Sequence, residues 1–343
     1  MDLVTSFLPG EGPVETIYFG GGTPSLCSAG ELAGMIEKIH ANFAVDPGAE
    51  TTLEVNPDDI TRERLQEWKS AGINRLSIGV QSFFEEDLRW MNRAHTARQA
   101  IENLALAKEV FENMSVDLIY GSPGLSDAKW KENVDRVVAL NIPHISCYAL
   151  TVEPKTPLQK MILQHKSEDV DPDTQSRQFL LLMDWLGEAG YEHYEISNFA
   201  RPGLRSRHNS SYWQGRPYLG LGPSAHSYDG SARWWNIANN TSYIDSINKG
   251  VVPLEREELT ASQKINEYIM ISLRTSQGLS IARIGNILRE NEISDLKIVE
   301  GLEAKSEGYR KRGLMEAGAD YLRLTREGKL LADGIASDLF VDQ

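Results

Sequence analysis

The sequence predicts an α/β protein: a parallel sheet, open or closed into a barrel, followed by a smaller helical module. Three observations carry this. Over the first 190 residues, short apolar runs rich in β-branched residues alternate with amphipathic helical stretches, and successive runs start about 25–40 residues apart. Each apolar run ends in small or polar residues. Beyond residue 256 the pattern turns to helices and a two-stranded wing.

In order, the expected strands are VETIYFGG (14–21), TTLEVN (51–56), RLSIGVQ (75–81), SVDLIYG (115–121) and HISCYAL (144–150). The helices between them carry their own start signals. Ser28 stands three residues before Glu31, a capping box, and Thr61 opens a helix that stops at Gly72. TARQAIENLALAKEVF and DAKWKENVDRVVAL repeat apolar residues at helical spacing. From 191 the chain becomes rich in aromatics, Gly, Ser and His, and reads as a short strand followed by loops. Three helical stretches then start at Thr260, Ser280 and Asp295, ahead of the wing and a final helix. The expected divisions are 1–190, 191–255 and 256–343.

In a parallel α/β sheet the ligand face lies at the strand C-termini. Those ends deliver Gly20–Thr23, then Glu54 and Asn56, Gln81, Asp117 with Tyr120 and Gly121, and Tyr148 with Thr151. A carboxylate such as Glu54 inside an apolar strand is costly without a partner. Three consecutive glycines after Phe19 carry a backbone-entropy cost, which suits a ligand lying close to the main chain.

Composition narrows the function. The chain has 343 residues and a net charge of −14, the wrong sign for a nucleic-acid surface, and no nucleic-acid partner is expected. It has no apolar run of the roughly 18 residues that span a bilayer and no signal-peptide core, so the expected location is cytoplasmic. Its two cysteines, Cys27 and Cys147, exclude a disulfide framework and a zinc or iron–sulfur site made from this chain's thiolates alone.

YFGGGTPSL, LEVNPDDI, INRLSIGVQSF, MNRAHT, VDLIYGSPG, ISCYALTVEPKTPL, YEHYEISNFARPG, HNSSYWQGRPYLGLGPSAHSY and LRTSQGLS occur in this order. As an ordered set they resemble the radical S-adenosylmethionine (SAM) family of oxygen-independent coproporphyrinogen III oxidases. HNSSYW tilts the likeness to the HemW-type haem chaperones. The resemblance implies a partial TIM-like (β/α) radical SAM barrel with a winged-helix-like tail. It implies that Gly21, Gly22 and Thr23 lie against the methionine end of SAM, with Glu54, Gln81, Arg93, Asp117 and Thr151 completing the site. His208 becomes a candidate axial ligand of haem, Tyr212 and Trp213 candidate packing partners, and Arg205 and Arg207 candidate partners for propionates; His226 is a second candidate ligand.

The implied function is binding haem and SAM and delivering haem to acceptor proteins, with a homodimer as a possible full-length state. The alternative is the oxidase, which decarboxylates two propionates of coproporphyrinogen III. The family holds a [4Fe–4S] cluster on three cysteines ahead of the glycine turn. No cysteine precedes Thr16 here, so the chain is expected to be N-terminally truncated within the barrel, and not catalytic as given.

Overall fold

The computed structural model describes residues 12–291, 293 and 296–341. They form two compact units. One comprises Thr16–Ile36 and Gly48–Ser206. The other gathers the described part of Met1–Glu15, Glu37–Pro47 and the chain from Arg207 on.

The chain begins with β1 (Val14–Phe19) and α1 (Ala29–Asn42). The Ser28–Glu31 box forms as expected: Glu31 Oε2 accepts from Ser28 N and Oγ at 2.8 Å, and Glu31 N donates to Ser28 Oγ at 3.2 Å. β2 (Val45–Val55) and α2 (Arg62–Ser70) follow, with the Thr61 hydroxyl capping Arg64 N. Next come β3 (Arg75–Gln81), α3 (Glu85–Trp90) and α4 (Ala97–Lys108), the last closed by reciprocal Thr96 and Gln99 bonds. β4 (Met114–Tyr120), α5 (Asp127–Ala139), β5 (His144–Ala149), α6 (Pro157–Leu163) and α7 (Pro172–Glu188) lead into a hairpin of β6 (Glu192–Glu195) and β7 (Asn198–Ala200).

These strands form one seven-stranded sheet in the order β1-β2-β3-β4-β5-β7-β6. Pairing is parallel from β2 through β5, and the hairpin adds antiparallel to β5. The parallel core is the one the sequence predicts; the antiparallel end was not read from it.

The two faces of the sheet differ sharply, because side chains alternate along each strand. One face presents Leu53, Val55, Leu76, Ile78, Val116, Leu118, Tyr120, Ile145 and Cys147, all buried. Helices cover this face: Tyr120 stacks on Phe179 of α7 at 6.2 Å between centroids and lies 5.5 Å from Trp130 of α5. The other face is polar. Glu54 pairs in register with Ser77, Ser77 with Ser115, and Asp117 with Ser146.

The second unit opens with α8 (Arg207–Trp213). β8 (His226–Tyr228), β9 (Ala232–Asn236), α9 (Asn240–Asn248) and β10 (Leu254–Glu258) follow, the strands pairing antiparallel in the order β10-β9-β8. A segment expected to be loops therefore contains two helices and a small sheet. The tail runs α10 (Ala261–Leu273), β11 (Leu279–Ser280), α11 (Ile281–Glu290), α12 (Leu296–Lys311), β12 (Met315–Ala317), β13 (Tyr321–Leu324) and α13 (Ala332–Leu339). Its sheet order is β11-β13-β12. Helix, strand, two helices and two strands in that order make the expected winged-helix arrangement. No described helix is long and apolar enough to cross a membrane.

Candidate ligand site at the strand ends

The turn after β1 is built by its three glycines in two different ways. Gly21 and Gly22 have φ of +77° and +66°, a region costly for L side chains. A Cβ at either would meet nothing within 4 Å, so the backbone there faces open space. At Gly20 the reason is packing: a Cβ would collide with Tyr18 Cε1 and stand 2.9 Å from Glu54 Oε1.

Glu54 leans into this gap. Its Oε2 accepts from Gly21 N–H at 3.0 Å, and its Oε1 accepts from the Tyr18 hydroxyl at 2.6 Å. Burial, reinforced by the Glu54 charge, pushes the Tyr18 phenol far above its ordinary range, so it remains a donor. Glu54 is thus a fixed carboxylate at the rim of a side-chain-free turn.

Asp117 lies on the same face two strands away, half-buried. Burial pushes its carboxyl up to about 6; a hydrogen bond with the Ser146 side chain opposes this, and Glu54 adds to it. Arg75 and Arg93 pull the other way. Two acids and two guanidinium groups therefore feel one another across the sheet.

Gln81 and Arg93 form the next group. Arg93 Nη2 donates to Asn56 Oδ1 at 2.7 Å and to the Gly79 carbonyl at 3.0 Å, while its buried Nε has no hydrogen-bond partner. A Cβ on Gly79 would stand 2.9 Å from Gln81 Nε2 and 3.4 Å from Arg93 Nη2. Gly79→Ala should therefore push the Gln81 amide aside and lower the melting midpoint only slightly, by at most about 1 kcal/mol, because that amide is the far end of a flexible side chain. A thermal melt of the variant checks this, and an unchanged midpoint would show that the cluster yields freely.

The structure ties Gly21 to Glu54 by a hydrogen bond, sets Asp117 within electrostatic reach of Glu54 and Arg93, and lays the Gln81 amide and Arg93 together over Gly79. Thr23 sits at the start of a short helical turn, Pro24–Leu26. Thr151 lies exposed past β5, its hydroxyl 3.4 Å from the Ala149 carbonyl. Asn56, expected at the end of β2, also belongs to the group through its bond from Arg93, and so do Tyr18, Gly79 and His95. Sequence reading missed the roles of these last three, although Tyr18 lies two residues before the glycines and His95 stands in the quoted MNRAHT.

In the other unit His208 is half-buried on α8, its ring edge-on to Tyr212 at 5.0 Å, and Tyr212 in turn lies 4.7 Å from Tyr218. His226 is exposed and stacks near Trp235 at 6.2 Å. Arg207 lies 3.9 Å from Glu15. Arg205 belongs to the first unit, where it pairs with Glu192 at 3.0 Å.

Cys27 follows the Pro24–Leu26 turn, and Cys147 is buried in β5, where burial holds its thiol protonated. Among the described residues no group of three His, Cys, Asp or Glu side chains could hold a metal ion. An iron–sulfur cluster needs several thiolates at one place. The residues of this chain do not fit one.

Comparison with known proteins agrees with this architecture. Residues 2–137 match the radical SAM superfamily. The chain is 34% identical over 328 residues to the heme chaperone HemW of Mycobacterium tuberculosis, spanning 95% of this chain and 80% of that protein. It is 32% identical over 332 residues to the heme chaperone HemW of Bacillus subtilis, spanning 95% and 85%. Among solved structures it resembles coproporphyrinogen III oxidase (HemN) from Escherichia coli, with a TM-score of 0.80 at 23% identity over 95% of this chain and 78% of that one.

Proposed function

Because this chain belongs to the HemW-type branch of the radical SAM family, we propose that it binds haem, passes it to proteins that require it, and holds SAM at the strand ends of its seven-stranded sheet. The observation that carries the haem assignment is the 34% identity to a named heme chaperone along 95% of the chain. The likeness to the coproporphyrinogen oxidase concerns the fold and lends no support to that reaction.

The polar group suits SAM. The Gly21 carbonyl and the backbone of Gly22 and Thr23 offer donors and acceptors to its methionine end, while the Gly21 N–H holds Glu54. Glu54 is a charged acceptor for the ammonium, and Arg93, with an unpaired buried Nε, is a donor for the carboxylate. Asp117 is an acceptor suited to ribose hydroxyls, Gln81 adds an amide beside Arg93, and Thr151 adds a hydroxyl past the end of β5. When bound, SAM supplies a sulfonium cation and a nucleoside.

For haem, His208 offers an imidazole and Tyr212 an aromatic neighbour at 5.0 Å. Titrating haemin into the full chain should give a saturable Soret shift, and adding a haem-free globin should move the haem to the globin. His208→Ala should weaken binding at least about tenfold and alter the Soret band. An unchanged spectrum and affinity would remove His208 from the role; no haem binding by the unmodified protein would end the chaperone reading.

A further inference from the structure

We infer that His95 is a positioning residue that sets the Gln81 amide at the SAM site proposed above, on which this inference rests. Gln81 has φ of +68°, and Ser82 N–H donates back to the Val80 carbonyl at 2.9 Å. That is a three-residue γ-turn with positive φ, a rare and strained conformation. It coincides with a bulge: Ile78 pairs with Val116, and the next pair is Gln81 with Leu118.

Such a conformation lasts only where its surroundings fix it. Both flanks of Gln81 are fixed. Downstream, the Ser82 hydroxyl donates to Asp87 Oδ2 at 2.7 Å, and Phe83 N–H donates to Oδ1 of the buried Asn133 at 2.7 Å. Upstream, His95 Nε2 lies 3.1 Å from the Val80 carbonyl, the same oxygen that closes the turn. With a carbonyl as partner, Nε2 must carry the proton.

His95 is 2% exposed, and its Nδ1 has no hydrogen-bond partner; the carboxylate of Asp58 stands 3.7 Å away. Burial holds the imidazole below its ordinary range, hence neutral. A side chain that merely filled this space would be apolar, because a buried nitrogen without a partner is destabilising. The bond that offsets this cost is aimed at the turn. The turn in turn folds Gln81 Nε2 back over Gly79, beside Arg93 Nη2. His95 therefore orders a ligand-facing amide through one backbone carbonyl without touching the ligand.

The test is SAM titration of the full chain by calorimetry, comparing His95→Leu, His95→Gln and Gln81→Ala. His95→Leu should lower SAM affinity about tenfold, as Gln81→Ala does, and the double variant should be no weaker than Gln81→Ala alone. His95→Gln places an amide donor near the imidazole Nε2 and should restore affinity to within about threefold of the parent. Wild-type affinity in His95→Leu, or additive losses in the double variant, would overturn the positioning role while leaving the site intact. No SAM binding by the parent protein would remove the site itself, and the role with it. Should His95→Leu fail to melt cooperatively, His95→Asn replaces it: its shorter amide falls short of Val80, and weaker binding than His95→Gln is expected, while equal binding would overturn the inference.

Discussion

Trp130→Ala should destabilise the first unit by about 3–5 kcal/mol, the range for emptying a large aromatic site. Trp130 is fully buried, packs beside Tyr120 at 5.5 Å, and donates from Nε1 to the Gln178 carbonyl at 3.2 Å. Gln178, also fully buried, ties α7 back to the end of β4: its Oε1 accepts from Gly121 N–H at 2.8 Å, and its Nε2 donates to the Leu125 carbonyl at 2.8 Å. Removing the indole therefore opens a cavity and loosens the anchor of the strand that carries Asp117. Urea unfolding should show a lower midpoint at unchanged slope. Trp130→Phe keeps most of the ring and loses the indole N–H, so a smaller loss of about 1–2 kcal/mol is expected. A loss below about 1 kcal/mol for alanine would mean that α5 does not pack on the sheet as described.

Asp117→Asn should separate stability from binding. The folded carboxyl titrates at about 6 against an ordinary 3.8, because burial disfavours its charge. The folded state then holds the proton more tightly than the unfolded chain. This contribution to stability is fully present below about pH 4, is lost as pH rises through about 6, and is flat above. The difference is on the order of 2–3 kcal/mol at neutral pH. The substituted amide carries no charge to bury, so the variant should melt higher near about pH 7.5 and lose this part of the pH slope. SAM affinity should move the other way. The ionised carboxylate is the better acceptor for ribose hydroxyls, so binding to the parent protein should strengthen as pH rises to about 6 and then level. The variant should bind about 10–100-fold more weakly at neutral pH with a flat profile. Parallel melts and titrations across pH measure both, and a variant that gains no stability and loses no affinity would place Asp117 outside the site.

Local signals wrote much of the fold. β3 spans 75–81 in both sequence and structure, β4 and β5 lie within one residue of expectation, and the Ser28 and Thr61 caps form. These elements combine period-two apolar runs with capping chemistry that acts within a turn. What escaped reading lacked one of the two. β6 and β7 are four and three residues long, too short for alternation to register. α8 has no buried residue and hence no apolar period. The first half of β2, Val-Asp-Pro-Gly, contains residues that usually end strands. α7 was not read either, although Asp171 ahead of Pro172 is a start signal, because its apolar stripe runs on from a polar loop.

The site divides in the same way. Glu54 and Asp117 were readable because a carboxylate in an apolar strand is anomalous on its face. Tyr18 and His95 were not, because their meaning lies in bonds to Glu54, 36 residues away, and to Val80, 15 residues away. Sequence spacing carries no trace of such a partner.

The two-sided character of the sheet has a consequence for how the chain avoids misfolding. Sliding β2 or β4 by a single residue would drive Glu54 or Asp117 into the oily layer under the helices and turn Leu53 or Val116 out among the charges. Both errors would be penalised at once, so the ligand-binding acids also act as proofreaders of strand alignment. Exchanging them for leucine would remove that proofreading along with the ligand contacts.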